Sequence, residues 1–415
     1  MTTFPCGGEC GDIIVWFDDV AERVGAVQTE TLRTILEANH RVEYLKKWLK
    51  DVNVNEMESS ELESLFTSLV PLVSHADLEP YIQRIADGET EPLLTQEPIT
   101  TLSLSSGTTE GRQKYIPFTS YNAKTTLQIF TIAAAYRSRV YPTRQGGKVL
   151  EFIYSSKRSK TSGGITVGTA TTHVFNSREF DLKQKQTKSF TCSPQQVISI
   201  GDYKQSTYCH LLLGLRFSDQ VEYLTSTFAY TIVQAFISFE EIWLEICNDI
   251  RDGTLSPKIT HPAARAAVLG STRPDPDLAS RVGSKCRELE KVGFAGLVPK
   301  LWPNAKYVYS ILTGSMEPYL SKLVHYAGGL PLVSADYGST EAWIGVNVEP
   351  SLPPEKVSFA VVPSFGYYEF IPLYRRNREG VKSGGADDFV EGEAVPLSRV
   401  EVGQEYEVVL TTFSG

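Results

Sequence analysis

Hydroxyl-bearing side chains and glycines crowd into one stretch, Thr101 to Phe118, which reads TLSLSSGTTEGRQKYIPF. Gly107 and Gly111 let main-chain N–H groups face a common point, and Ser103, Ser105, Ser106, Thr108 and Thr109 add donors beside them. A concavity of that kind suits a phosphate. Arg112 and Lys114 follow with the positive charge such an anion calls for. This is not the Walker loop, which sets four residues between its glycines and then opens a helix with Gly-Lys-Ser/Thr. Here three residues separate Gly107 from Gly111, Glu110 among them, and Tyr115-Ile116-Pro117-Phe118 reads as extended. The same residue types build ordinary hairpin turns, although the stretch exceeds the usual hairpin loop of about 2–5 residues. Phosphate cradle and plain turn both stand at this point.

A second candidate lies further along. Lys306 to Leu312 is an apolar strand, and Thr313-Gly314-Ser315-Met316-Glu317-Pro318 follows it. Pro318 suits a first helical turn, and Tyr319, Leu320 and Leu323 mark a helix that Gly328-Gly329 stops. Leu330 to Ala335 is the next strand, ending in Asp336-Tyr337-Gly338-Ser339-Thr340-Glu341. Strand, helix, strand predicts parallel strands joined by a right-handed crossover. The 313–318 and 336–341 loops then share one carboxyl edge, where open α/β sheets bind ligands. Two connecting loops that merely share an edge are the plain alternative. Glu341 either binds Mg²⁺, a cation that takes oxygen ligands, or is a solvated charge. Trp343 either lines an apolar substrate pocket or covers the sheet.

The elements that position these loops follow from periodicity. Residues 12–48 read as helix, with an interruption between Val27 and Leu32, and another helix starts near Asp77 and stops at Asp87-Gly88. Thr119 or Ser120 caps a helix carrying Leu127, Phe130 and Ala134. Val149 to Tyr154 is a strand, and the glycine-bearing 155–172 is a lid, a substrate-facing loop or a mobile surface excursion. Val221 to Thr227 reads as a strand and Tyr230 to Asp249 as a largely buried helix. Residues 256–275 are linker-like and 277–291 a charged helix. Val357–Val362, Tyr367–Ile371 and Glu405–Phe413 are further strands, and 375–392, with Gly384-Gly385, is an exposed loop. The chain stops as its last strand ends, which reads as incomplete.

A chain of 415 residues is ample for a large core. Hydrophobic content of 41% and charged content of 21% are those of ordinary globular proteins. A net charge of −9 argues against nucleic-acid or membrane-surface partners. No run of about 18 apolar residues is present, and the start lacks the features of a signal peptide. Six cysteines make no disulfide framework. Cys6 and Cys10 read as reduced cytosolic thiols rather than half a metal site, and Cys209-His210 as buried packing rather than a nucleophile and base. A cytoplasmic location is expected.

Together these residues resemble the Gretchen Hagen family, the plant acyl acid amido synthetases of the adenylate-forming enzymes. Ser105 to Gly111 with Lys114 is similar to that family's first nucleotide motif, and Tyr337-Gly338-Ser339-Thr340-Glu341 to its second. Thr313-Gly314-Ser315-Met316 and Tyr368-Glu369-Phe370 extend the likeness over essentially the whole chain. The resemblance implies an α/β fold, the large N-terminal domain of an adenylate-forming enzyme. Mixed sheets flanked by helices would fill 1–415, with a helical part over about 12–90 and a smaller β subdomain over about 355–415. It implies ATP and Mg²⁺, and a reaction in which a carboxylate attacks the α-phosphate before an amino acid amine displaces AMP.

By position, Ser106, Lys114 and Glu341 would carry the chemistry, with Glu341 on Mg²⁺. Ser103, Ser105, Gly107, Thr108, Thr109 and Thr126 would line the first motif. Gly314, Ser315 and Met316 would wall the adenine, Tyr337 to Glu341 would hold AMP, and His173 would meet the nucleotide, where the family often has Asn. Thr171 would meet the amino acid. Phe228, Tyr230 and Trp343 would line the acyl pocket. Ala342-Trp343-Ile344-Gly345 is similar to the jasmonate-conjugating branch and its dwarf-in-light subgroup, although that branch has His at the position of Tyr230. Jasmonate is therefore the expected acid and indole-3-acetate the alternative. Family members continue into a Tyr-Arg-x-x-Gly-Asp motif and a small C-terminal domain that this sequence lacks, so a non-catalytic binding paralogue is also weighed.

Overall fold

The computed structural model describes residues 4–5, 8–109, 112–187, 190–376 and 389–414. Cys6, Glu110, Gly111 and the Gly384-Gly385 segment fall outside them, as do the side chains of Ser106, Thr108, Thr109 and Arg112.

Five helices come first: α1 (Cys10–Glu22), α2 (Val24–Asn39), α3 (Glu43–Leu49), α4 (Ser59–Leu69) and α5 (His75–Ala86). The interrupted helix expected over 12–48 is thus three pieces, with its breaks at Arg23 and after Asn39 rather than between Val27 and Leu32. A bend at Arg23 turns the apolar stripe of Ile13, Trp16 and Phe17 away from that of Leu32, Ile35 and Leu36, which joins a different core.

β1 (Thr101–Thr109) and β2 (Arg112–Phe118) form an antiparallel hairpin with a register shift between Leu104 and Thr108. The first motif is therefore a bulged hairpin rather than a strand followed by a long loop, and the bulge falls on Ser105 to Gly107. α6 (Ser120–Val140) starts directly after β2, capped reciprocally by Thr119 and Asn122. β3 (Lys148–Glu151), β4 (Ser159–Lys160) and β5 (Thr166–Gly168) follow. β5 lies parallel to β1, and β4 antiparallel to β5, so the glycine-bearing 155–172 segment contributes two strands to the motif's own sheet.

α7 (Ala170–Phe175), α8 (Arg178–Thr187), α9 (Gln195–Ile198) and α10 (Tyr203–Arg216) lead to β6 (Val221–Phe228) and α11 (Ala229–Asp252), which Gly253 ends in a left-handed conformation. α12 (Pro262–Ser271) occupies half of the expected linker; His261 and Pro262 are its start signals, and Ala264 and Val268 its buried face. α13 (Pro276–Glu290) and α14 (Leu297–Leu301) precede β7 (Val308–Ile311), a short 3₁₀ turn at Gly314–Tyr319, α15 (Leu320–Ala327) and β8 (Leu332–Ser334).

β3, β6, β7 and β8 form a four-stranded sheet in that order, every neighbour pair parallel. Its two faces alternate along each strand. Leu150, Leu224 and Val308 point into the largest core with α10, α11, α13 and α15, while Tyr223, Tyr309 and Val333 point the other way. That second face looks toward α6 and α8. β9 (Tyr337–Gly338) and β10 (Trp343–Val346) make a hairpin, extended by β11 (Ala360–Val361). β12 (Tyr367–Arg375), β13 (Phe389–Glu391), β14 (Val395–Pro396) and β15 (Tyr406–Thr411) form the last, antiparallel sheet. Among the described residues no helix is long and apolar enough to cross a membrane.

Candidate active site

The parallel pairing of β7 with β8 brings the 313–318 and 336–341 segments to one carboxyl edge. Gly314 and Ser315 are exposed there, and Gly314 takes a left-handed φ of 60° that favours glycine. Met316 is only partly exposed and packs on the large core beneath. Tyr337, Gly338 and Ser339 are exposed, Thr340 and Glu341 half-buried. The turn is closed by Ser339 N–H donating to Ala342 O at 2.9 Å. A Cβ on Gly338 would lie 2.8 Å from Trp343 Cε3 and 3.0 Å from Ala342 O, so the tight hairpin requires glycine there.

The first motif belongs to a different sheet, and α6 joins its root to the second. Asn122 Oδ1 accepts the Thr119 N–H at 2.8 Å, where β2 ends, and its Nδ2 donates to Glu341 O at 3.3 Å. One turn on, Thr126 Oγ1 accepts the indole N–H of Trp343 at 3.0 Å while donating to Asn122 O. Phe130 meets the Trp343 ring at 5.8 Å. Thr126, expected on the nucleotide or acyl side, thus holds the tryptophan that follows the second motif.

Other expected residues are placed as follows. Ser103 is fully buried with no hydrogen-bond partner for its hydroxyl. Ser105 Oγ accepts the Gly107 N–H at 3.1 Å inside the bulge, and Lys114 is half-buried on β2. His173 is buried in α7, with its Nε2 3.0 Å from Leu102 O, and burial lowers its pKa. Thr171 sits two residues earlier, its hydroxyl 3.1 Å from that of Thr169. Phe228 and Tyr230 are exposed where β6 passes into α11, and Tyr230 packs on Tyr319 beside the 3₁₀ turn. Cys209 and His210 are both buried; His210 reaches Ser193 Oγ and Ile153 O, which is packing rather than catalysis.

A cavity of about 310 Å³ runs along the α6-facing side of the parallel sheet. Ile153, Thr227, Ile311 and Trp343 line its upper part near the carboxyl edge; Val149, Tyr223 and Phe190 line its lower part. Phe228 and Tyr230 do not line it, though Thr227 precedes them directly.

Asp336, the first residue of the second loop, also lines this cavity, with three charged groups that sequence reasoning missed: Arg137, Glu151 and Lys183. Burial works against the Arg137 charge, but the phenols of Tyr309, Tyr307 and Tyr223 and the Asp336 carboxyl outweigh it and raise its pKa. Its guanidinium lies 3.6 Å from the Tyr309 ring centroid. Burial raises the Glu151 pKa and lowers that of Lys183, each partly offset by the other's charge. Burial pushes Asp336 up to about 6 against the pull of Arg137 and the Tyr309 hydroxyl. A signal for Arg137 was present, since it continues the α6 stripe of Thr126, Phe130 and Ala134 at helical spacing. Lys183 had none, because Phe180 and Leu182 are the only apolar residues of α8 and make no helical stripe.

Among the described residues no three His, Cys, Asp or Glu side chains converge as a metal cage. A single half-buried carboxylate at an exposed edge does fit Mg²⁺, which is commonly held by one or two carboxylates together with substrate phosphates and water.

An α/β protein with two polar turns tied together above a mostly apolar cavity is arranged as enzymes that activate small organic acids are. Residues 13–332 match the GH3 family N-terminal domain and residues 359–415 the GH3 family central domain. The chain belongs to the GH3 family of acyl acid amido synthetases, a family of ligases. It is 67% identical over its whole length to indole-3-acetic acid-amido synthetase GH3.10 of Arabidopsis thaliana, spanning 70% of that protein. It is 48% identical over 98% of its length to jasmonoyl–L-amino acid synthetase GH3.5 of Oryza sativa subsp. japonica, spanning 68% of it. Among solved structures, the GH3.15 acyl acid amido synthetase in complex with 2,4-DB superposes with a TM-score of 0.83 at 33% identity, covering all of this chain and 67% of that one.

Proposed function

We propose that this chain uses ATP to adenylate a plant hormone carboxylic acid, with jasmonate favoured, and joins it to an amino acid through an amide bond. The cavity beneath the shared carboxyl edge carries the reading. Ile311 and Asp336, beside the two turns, line it, and Trp343 forms part of its wall directly after the second motif. An acid seated there with its apolar body against Phe130 and Trp343 presents its carboxylate at the edge. Tyr337 to Glu341, with Gly314, Ser315 and Met316, would hold the adenylate half of ATP. Ser105, Ser106, Gly107, Thr108 and Thr109 would offer donors to the phosphates and Lys114 a cation.

Mg²⁺ held by Glu341 and phosphate oxygens would supply the charge that stabilises the departing pyrophosphate. The carboxylate oxygen bonds the α-phosphorus as pyrophosphate leaves, and the amine then attacks the acyl carbon as AMP leaves. No covalent enzyme nucleophile is required. His173, through Leu102 O, would hold α7 against β1 beside the phosphates, Ser103 would lie on the nucleotide side of the first motif, and Thr171 would face the amino acid. Phe228 and Tyr230, outside the cavity lining, would bound its entrance.

Trp343 supports jasmonate, since it stands where the jasmonate-conjugating branch has it. Indole-3-acetate is the second reading, favoured by the printed name of the 67%-identical relative. Incubation with ATP, Mg²⁺, mixed amino acids and either acid, followed by mass spectrometry, tests both. Jasmonoyl amides in excess support the first reading and indole-acetyl amides the second. Absence of adenylate and amide from every acid overturns both.

A further inference from the structure

We propose that Asp336 is a positioning residue for the second motif, clamping the two legs of the β9–β10 hairpin so that Tyr337 to Glu341 keep one geometry. Asp336 is the last residue before the hairpin and is 2% exposed. Its Oδ1 accepts the main-chain N–H of Asn347, the first residue after β10, at 3.2 Å. Asn347 answers by donating from Nδ2 to Ser334 O, at the end of β8, at 2.8 Å. Entry and exit legs are thereby tied twice. The other carboxylate oxygen, Oδ2, accepts the Tyr309 hydroxyl at 2.9 Å, fixing the clamp to the adjacent strand β7.

The need for a carboxylate here follows from acceptor count. Both partners donate, so a group with two acceptor oxygens satisfies both, whereas an amide has one oxygen and must turn a donor toward one of them. Burying that charge is costly unless it is compensated. Arg137 compensates it, held over the Tyr309 ring by α6, whose first turns contact Glu341 and Trp343. The hairpin is thus gripped by α6 at its tip and by Asp336 at its root. The titratable groups that face this centre are Arg137 from α6, Tyr223 from β6, Tyr307 just before β7 and Tyr309 on it, with Glu151 from β3 and Lys183 from α8 along the same cavity.

This inference rests on the reading that the hairpin holds AMP, so its test has one arm that needs no substrate. Asp336→Asn removes the charge and retains the shape, and Tyr309→Phe removes one bond while leaving the Asp336–Asn347 tie. In hydrogen exchange on the free protein, amides 337–346 should exchange at least tenfold faster in Asp336→Asn, with smaller change in Tyr309→Phe and none in β1–β2. Unchanged protection of 337–346 overturns the clamp whatever the activity. In kinetics, Asp336→Asn should raise KM for ATP and lower kcat, together about a hundredfold in kcat/KM, while KM for the acyl acid stays within about twofold. Protonation of Asp336 below pH about 6 should give the wild type an acid limb that the variant lacks. An effect on acyl KM alone, or an acid limb retained in the variant, contradicts the proposal.

Discussion

The side-chain amide of Asn122 donates to the main-chain oxygen of Glu341 at 3.3 Å, and its oxygen accepts the N–H of Thr119 at 2.8 Å. The two polar motifs lie in separate sheets more than two hundred residues apart in the sequence, and this residue joins the exit of one to the tip of the other. Asn122→Ala removes the cap of α6 as well as the tie, so it should cost about 1 kcal/mol in a urea titration. Asn122→Asp keeps the cap and loses the donor. It should lose about tenfold in kcat/KM for ATP, the size of one hydrogen bond to a fixed group. A kcat/KM for ATP left unchanged in Asn122→Asp would reduce Asn122 to a cap.

Thr126 and Trp343 provide a second check. Thr126→Val leaves the indole N–H without its acceptor, a penalty of about 1–3 kcal/mol, and frees the ring to turn into the cavity. KM for the acyl acid should rise about tenfold, with the KM for ATP little changed. Thr126→Ser should restore it.

Gly338→Ala places a methyl 2.8 Å from Trp343 Cε3 and 3.0 Å from Ala342 O. Both belong to the hairpin's own turn, so relief displaces either the tryptophan or the main chain that carries Glu341. Adenylation should fall at least tenfold with little change in overall folding by circular dichroism.

Much of this arrangement was legible in the sequence. Apolar runs ending in glycine-bearing polar turns gave β7, α15 and β8 and their shared edge, because a βαβ unit leaves few alternatives for where its turns emerge. The hairpin character of Ser105 to Gly111 stayed open, since Ser, Thr and Gly serve both a turn and an anion cradle. The charged lining was hidden for another reason. Lys183 comes from a helix without apolar periodicity and Glu151 from a strand whose neighbours are apolar, and only tertiary packing brings them beside Arg137 and Asp336. The break at Arg23 was missed because periodicity reports a face but not the bend between two faces.

His210 makes a stability prediction with a definite sign. Burial pushes its pKa down to about 4, and both ring nitrogens have partners in Ser193 Oγ and Ile153 O. The folded state therefore keeps the imidazole neutral, whereas the unfolded chain takes up a proton below about 6.5. The contribution is complete above that value and is lost as pH falls toward 4, amounting to about 2 kcal/mol by pH 5. The stability gap between the wild type and His210→Gln should shrink by that amount from pH 7.5 to 5, with other groups cancelling in the difference. A gap independent of pH would show that His210 titrates normally.

Acyl-acid-dependent exchange of labelled pyrophosphate into ATP tests most directly whether the joined turns and the cavity beneath them activate a carboxylic acid. The account predicts Mg²⁺-dependent exchange with jasmonate, weaker exchange with indole-3-acetate, and a loss of about a hundredfold or more in Glu341→Gln. Exchange that survives Glu341→Gln undiminished, or a wild-type chain that exchanges with neither acid, would contradict it.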